Sequence, residues 1–186
     1  MKGTLVIMLK EPVPGRVKTR LGREIGMGPA AWWFRHQVAR LLRRIEDPRW
    51  RVVLAVAPDR AMASRVWPGR FARVPQGRGD LGQRMARQLR GVPEGPVCVI
   101  GADIPGVTRA HVARAFAALG RAEAVFGPAP DGGYWLVGLK GPVPAGLFAG
   151  VRWSSEHALA DSIASLQGRR VALVDVLADV DRAADL

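Results

Sequence analysis

The chain has a single cysteine, Cys98, in 186 residues. One thiol excludes an internal disulfide framework and any cysteine-rich zinc site. Lysine is also scarce: only Lys2, Lys10, Lys18 and Lys140 occur, so arginine supplies most of the 28 basic side chains. Aromatic residues make up 6% of the chain, and neither an RNA-recognition nor a helix-turn-helix pattern is present. A nucleic-acid-binding module is therefore the second reading of the charge rather than the first. No apolar run reaches 18 residues, so no membrane-spanning helix is expected. The N-terminal residues lead directly into a strand-like run and leave no room for a secretory signal, so a soluble cytoplasmic protein is expected.

What is present suffices for one full core. Hydrophobic residues make up 48% and charged residues 24% of the chain, and the length suits one domain over 1–186. The 28 basic side chains face 16 acidic ones, a formal net charge of +12. Such an excess suits an anionic partner such as a nucleotide, a sugar phosphate or a nucleic acid. A solvated basic face, or arginine, alanine, glycine and proline accumulated in a GC-rich genome, would leave the same mark.

Short continuous apolar runs read as strands buried on both faces. They fall at 4–9, 50–57, 96–100, 123–126, 134–139 and 171–177, with a shorter one at 71–75. Helical patterns lie between them. Residues 29–45 put Trp33, Val38, Leu41, Leu42 and Ile45 on one face and Arg35, Arg40, Arg43 and Arg44 opposite. Asp80 is a plausible N-cap for a helix through Leu89, Thr108 for one through Leu119, and Ser154 or Ser155 for one through Leu166. Alternating strands and helices predict an α/β fold with a mostly parallel sheet. Such sheets bind ligands at the carboxyl ends of their strands.

The loops at those ends carry the chemistry. Lys10, Arg16, Lys18 and Arg20 follow the first strand within 11 residues, in a loop stiffened by Pro12 and Pro14 and opened by Gly15. These side chains suit phosphate oxygens, arginine as a fork and lysine as a point charge. The loop is not a Walker A motif, because Pro12 and Val17 stand where glycine is required. Gly77 and Gly79 precede the Asp80 cap, and Gln76 beside them carries an amide suited to a nucleobase edge. Asp103 follows the fourth strand in Gly101-Ala102-Asp103-Ile104-Pro105, where it would hold Mg²⁺ or accept a substrate hydroxyl, or else form a turn before proline. Asp131, in Asp131-Gly132-Gly133, either marks a hairpin or offers a carboxylate to an acceptor. Asp179 and Asp181 point the same way if their segment is extended, and could complete a metal site with Asp103. His36, His111 and His157 form no ligand or catalytic pattern, Cys98 reads as packing, and Trp153 is a candidate for the mouth of the site.

Taken together these segments resemble a known bacterial family, the glycosyltransferase-A-like DUF2064 proteins, also called selenodomain- or radical-SAM-associated transferase 1. The likeness rests on five stretches that span nearly the whole chain: residues 10–21, Gln76 to Met85, Gly101-x-Asp103-x-Pro105, residues 127–134 and 179–186. It implies the nucleotide-diphospho-sugar transferase fold, a three-layer α/β/α sandwich around a twisted, mostly parallel sheet. It also implies nucleotide binding by Gly15, Arg16, Lys18, Arg20, Gln76 and Gly79, beside the Lys10 already read from the loop, and Mg²⁺ or Mn²⁺ on Asp103 and Asp181. The first loop lacks the glycine-rich pattern of pyrophosphorylases. Ala102 stands where serine is frequent in the family, and Arg182 where threonine is usual. The expected activity is transfer from an activated nucleotide: either a sugar from a nucleotide sugar, or a nucleotidyl group to a phosphorylated acceptor. Lys18 and Asp131 are the expected catalytic residues. A nucleotide-binding sensor without turnover is the remaining alternative.

Overall fold

The computed structural model describes residues 2–91 and 95–186. The chain runs β1 (Gly3–Lys10), α1 (Thr19–Ile25), α2 (Met27–Ile45), β2 (Trp50–Ala57), β3 (Ala72–Pro75), α3 (Leu81–Arg90) and β4 (Val97–Gly101). It continues through α4 (Arg109–Ala118), β5 (Ala124–Pro128), β6 (Tyr134–Leu139), α5 (Ala158–Ala164) and β7 (Val171–Leu173). Seven strands form one sheet in the order β3-β2-β1-β4-β6-β5-β7. Only β6 runs against its neighbours; the other recorded pairings are parallel.

The unbroken apolar run of β1 is explained by layers on both sides. Leu5, Ile7 and Leu9 join the core under α2 and α4, whereas Val6 joins the one under α3 and α5. A strand with period-two side chains must be apolar at every position when both faces are covered. On α2, Phe34, Val38, Leu41, Leu42 and Ile45 are buried. On α3, Met85, Ala86 and Leu89 are buried. The three-layer sandwich expected from the sequence is therefore observed.

Two helix starts follow their expected chemistry. Asp80 and Thr108 each close a capping box, with Gln83 and His111 respectively, satisfying N–H groups that the first helical turn leaves free. The last helix differs from expectation. Ser154 takes a left-handed φ of 58°, which interrupts the helix there, and α5 begins at Ala158 after His157. The seven-residue α1 begins inside the stretch read as loop and runs past it, and β7 is three residues long rather than seven. Beyond β7 the backbone still follows β5, with Val174 N–H donating to Phe126 O at 2.9 Å and Leu177 N–H to Pro128 O at 3.1 Å.

Candidate active site

The carboxyl ends of β1 and β4 lie side by side, since these strands pair in parallel. Two loops and the C-terminal segment converge there. The first loop enters α1 through Lys18, whose φ of 45° and ψ of 49° are left-handed. That conformation costs a residue with a Cβ roughly 1–2 kcal/mol. It delivers the lysine side chain, with only 7% of its surface exposed, into a ring of carboxylates. Lys18 Nζ lies 2.5 Å from Asp103 Oδ2, 3.0 Å from Asp181 Oδ1 and 3.3 Å from Asp179 Oδ2.

Each carboxylate has a structural reason to be there. A Cβ on Gly101 would come within 2.9 Å of Asp103 Oδ1, so glycine at the end of β4 is what lets Asp103 fold back over the strand. Asp179 and Asp181 flank Val180, which is 3% exposed and packs with Leu21 and Ala30. Val180 N–H also donates to Asp103 O at 3.2 Å, binding the C-terminal segment to the β4 loop. The expected alternation thus holds, and it brings Asp179 in along with Asp181. Arg20 Nη1 pairs with the far oxygen of Asp181 at 2.6 Å.

The cluster holds three carboxylates against two cations. Burial opposes the Lys18 charge, but the charge and hydrogen bond of Asp103, with help from Asp179 and Asp181, hold its pKa above the ordinary value. Burial first, and then repulsion from Asp103 and Asp181, raises the Asp179 carboxyl despite the attraction of Lys18. Asp181 is depressed: burial works against it, but the hydrogen bonds and charges of Lys18 and Arg20 prevail.

Two adjoining cavities meet at this cluster. Asp103, Asp181, Arg20, Gly101 and Leu81 line both. One cavity, of about 490 Å³, is bounded by Lys10, Arg16, Lys18, Arg20 and Arg84. The other, of about 520 Å³, is bounded by Tyr134, Trp153, Asp131, Glu156 and Met85. Asp131 arrives on the β5–β6 hairpin that Asp131-Gly132-Gly133 signals, and its carboxylate lines this second cavity. Its Oδ1 accepts the Gly133 N–H at 2.9 Å.

The expected residues fall into groups. Lys10, Arg16, Lys18 and Arg20 border the first cavity, and Gly15, with φ at 74°, makes the turn behind them. Gln76 also borders it but is 2% exposed. Its amide donates to Leu9 O at 3.0 Å and Ala55 O at 2.9 Å, and its oxygen accepts from Arg84 at 3.0 Å. That side chain ties β1 and β2 to α3, and its polar atoms are already engaged. Gly79 lines neither cavity; its φ of 109° sets up the Asp80 cap. Arg84 and Glu156 were not singled out from sequence. Arg84 sits one turn into α3 beyond its cap, a position that the Gln76-to-Met85 stretch contained without marking. Glu156 follows the left-handed Ser154, which no sequence pattern announced.

Among the described residues no group of histidine, cysteine or carboxylate side chains forms a metal site by ligand geometry alone, the Lys18 ammonium lying where the three carboxylates meet. The donor set nonetheless suits a hard divalent cation: oxygen ligands from two segments, gathered around a positive charge and holding surplus negative charge.

The mostly parallel sheet, with its charged cleft at the strand ends, has the α/β fold seen in nucleotide-diphospho-sugar transferase and nucleotidyltransferase structures. The chain belongs to the family described as an uncharacterized protein conserved in bacteria (DUF2064), whose model matches residues 41–155. It is similar to the crystal structure of a candidate nucleotide-diphospho-sugar transferase from Desulfovibrio desulfuricans G20. That pair shares 26% identity at a TM-score of 0.88, over 98% of this chain and 84% of the other. The fold is also that of 4-diphosphocytidyl-2C-methyl-D-erythritol synthase from Anaerococcus prevotii DSM 20548, with a TM-score of 0.58 at 11% identity over 99% and 92% of the two chains. A third likeness is to the Rv0371c protein of Mycobacterium tuberculosis H37Rv, solved in complex with manganese, with a TM-score of 0.55 at 17% identity over 100% and 95%. No curated protein matches the sequence.

Proposed function

We propose that this protein is a divalent-metal-dependent transferase acting on an activated nucleotide. The observation that carries the reading is the convergence of Asp103, Asp179 and Asp181 on one point between a basic and an aromatic cavity. The nucleotide phosphates lie in the basic cavity, against Lys10, Arg16, Lys18 and Arg20, with Arg84 from α3. The acceptor lies in the aromatic cavity.

Asp103 and Asp181, joined by Asp179, are the residues that would hold Mg²⁺ or Mn²⁺. Such an ion, when bound, neutralises charge that builds on a phosphate leaving group. The manganese bound by the mycobacterial relative is consistent with this donor set. Lys18 and Arg20 add positive charge beside the same phosphates, and burial strengthens that of Lys18. An acceptor hydroxyl oxygen bonds to the transferred centre, the sugar's anomeric carbon or the nucleotide's α-phosphorus; the bond from that centre to the leaving phosphate oxygen breaks, and its electron pair stays on that oxygen. The acceptor proton passes to the Asp131 carboxylate, the acidic group that the β5–β6 hairpin brings to the aromatic cavity.

Thermal-shift screening of nucleoside triphosphates and nucleotide sugars, each with and without Mg²⁺ and Mn²⁺, tests the proposal. A ligand that binds only the native state raises Tm by mass action. The expected result is a nucleotide shift that depends on the metal and disappears in Asp103→Ala, followed by turnover of the best ligand. Equal shifts with and without metal, in wild type and variant alike, would overturn the metal role. Metal-dependent binding without turnover would make the protein a sensor.

A further inference from the structure

The aromatic cavity inverts the charge of the rest of the molecule. The chain carries 28 basic and 16 acidic side chains. This cavity is nevertheless lined by Asp103, Asp131, Glu156, Asp179 and Asp181 against one lining base, Arg20, with the Lys18 ammonium seated among Asp103, Asp179 and Asp181. Arg20 is itself paired with Asp181. A divalent ion on the shared cluster would offset Asp103, Asp179 and Asp181, but not Asp131 and Glu156 farther along the wall. Asp131 uses Oδ1 on the hairpin backbone, and its Oδ2 has no protein partner among the described residues. Among the described residues Glu156 pairs only with His157, at 3.8 Å.

The rings between these carboxylates are held in place. Trp153 meets Tyr134 and Phe148 edge to face, with centroids at 6.5 and 5.9 Å. It also lies over the first turn of α3, where a Cβ on Gly82 would come within 2.7 Å of its ring. The Tyr134 hydroxyl is turned away to accept a hydrogen bond from Ser162 at 3.2 Å. A rigid aromatic wall suits a sugar-like ring, and a negative field with exposed π-faces attracts a cation.

Resting on the transferase reading above, we infer that the acceptor is a phosphate-free polyol, and that one bearing an amine is preferred. A phosphorylated acceptor would place its dianion beside Asp131 and Glu156, whose charge neither the ion nor Lys18 and Arg20 offset, and like charge repels it there. This separates two routes that the fold alone leaves joined, and it points away from nucleotidyl transfer to a sugar phosphate.

The test uses the full chain with the basic cavity first saturated by pyrophosphate and Mg²⁺. That step is scored separately: if pyrophosphate fails to bind, the transferase reading fails. Glucosamine, glucose and glucose 6-phosphate are then titrated against tryptophan fluorescence. Glucosamine is expected to bind roughly fivefold more tightly than glucose, and glucose 6-phosphate most weakly. Asp131→Asn with Glu156→Gln should remove the amine preference while pyrophosphate affinity holds. Trp153→Ala should weaken glucosamine and glucose alike. Glucose 6-phosphate binding as well as glucose, or no sugar binding at all once pyrophosphate is in place, would overturn the inference.

Discussion

The two cavities share Asp103, Asp181, Arg20, Gly101 and Leu81, yet the walls beyond those residues are opposites. One is basic and built mainly from a single loop, Lys10 to Arg20, supplemented by Arg84. The other is acidic and aromatic and is built from three separate segments: the β5–β6 hairpin, the Trp153 to Glu156 stretch and the start of α3. A site that must grip an anion and release it needs donors close together, which one proline-stiffened loop supplies. A site that must choose an acceptor needs shape and a rigid wall, which several elements supply when they pack on one another. The Leu159 N–H, donating to Gly132 O at 3.0 Å, is one of the bonds that hold two of those segments together.

Breaking the partition should have the largest effect. Asp103→Ala removes the carboxylate nearest the centre, and we expect turnover to fall roughly 100-fold or more. Metal-dependent nucleotide binding should be lost, with the circular dichroism spectrum unchanged. Lys18→Met comes next, because it leaves three carboxylates facing one another. The expected cost is about 2 kcal/mol, or roughly 5 °C in Tm, with Mn²⁺ recovering more of it in the variant than it adds to wild type. Calorimetry should also show di- and triphosphates losing more affinity than the nucleoside.

The same lysine gives a pH signature. Its folded pKa is raised, so its contribution is complete below its ordinary value of 10.5 and is lost as pH rises through the folded value. The Tm gap between wild type and Lys18→Met should therefore stay constant through neutral pH and close only on the alkaline side. Trp153→Ala acts on the other cavity alone. Acceptor affinity should fall about tenfold, with pyrophosphate affinity unmoved. The smallest expected effect is Asp80→Ala, which removes the cap of the helix that floors both cavities. It should cost about 1 kcal/mol in denaturant unfolding.

The layers and the strand ends were legible because β1, β2 and β4 are apolar at nearly every position and the caps at Asp80 and Thr108 are local chemistry. The metal pair was legible in part. Alternation around Val180 marked Asp179 and Asp181 equally, but nothing local said that Val180 would be buried against Leu21 and Ala30. Gln76 illustrates the opposite limit. A glutamine beside two glycines looks available for a ligand, and only the parallel neighbours β1 and β2 show that its amide is engaged inside the sheet. The short α1 was hidden because the residues entering it are basic and its first position follows a left-handed lysine. The acidic character of the aromatic cavity comes from residues spread from Asp103 to Asp181, so no window of sequence carries it.

The most direct test of the central claim is an anomalous difference map at the manganese edge, from crystals grown with Mn²⁺ and a nucleoside diphosphate. The account predicts a peak coordinated by Asp103 and Asp181, with the Lys18 ammonium moved aside toward the phosphates. A bound diphosphate with no peak there, or with Lys18 still seated among the three carboxylates, would contradict it.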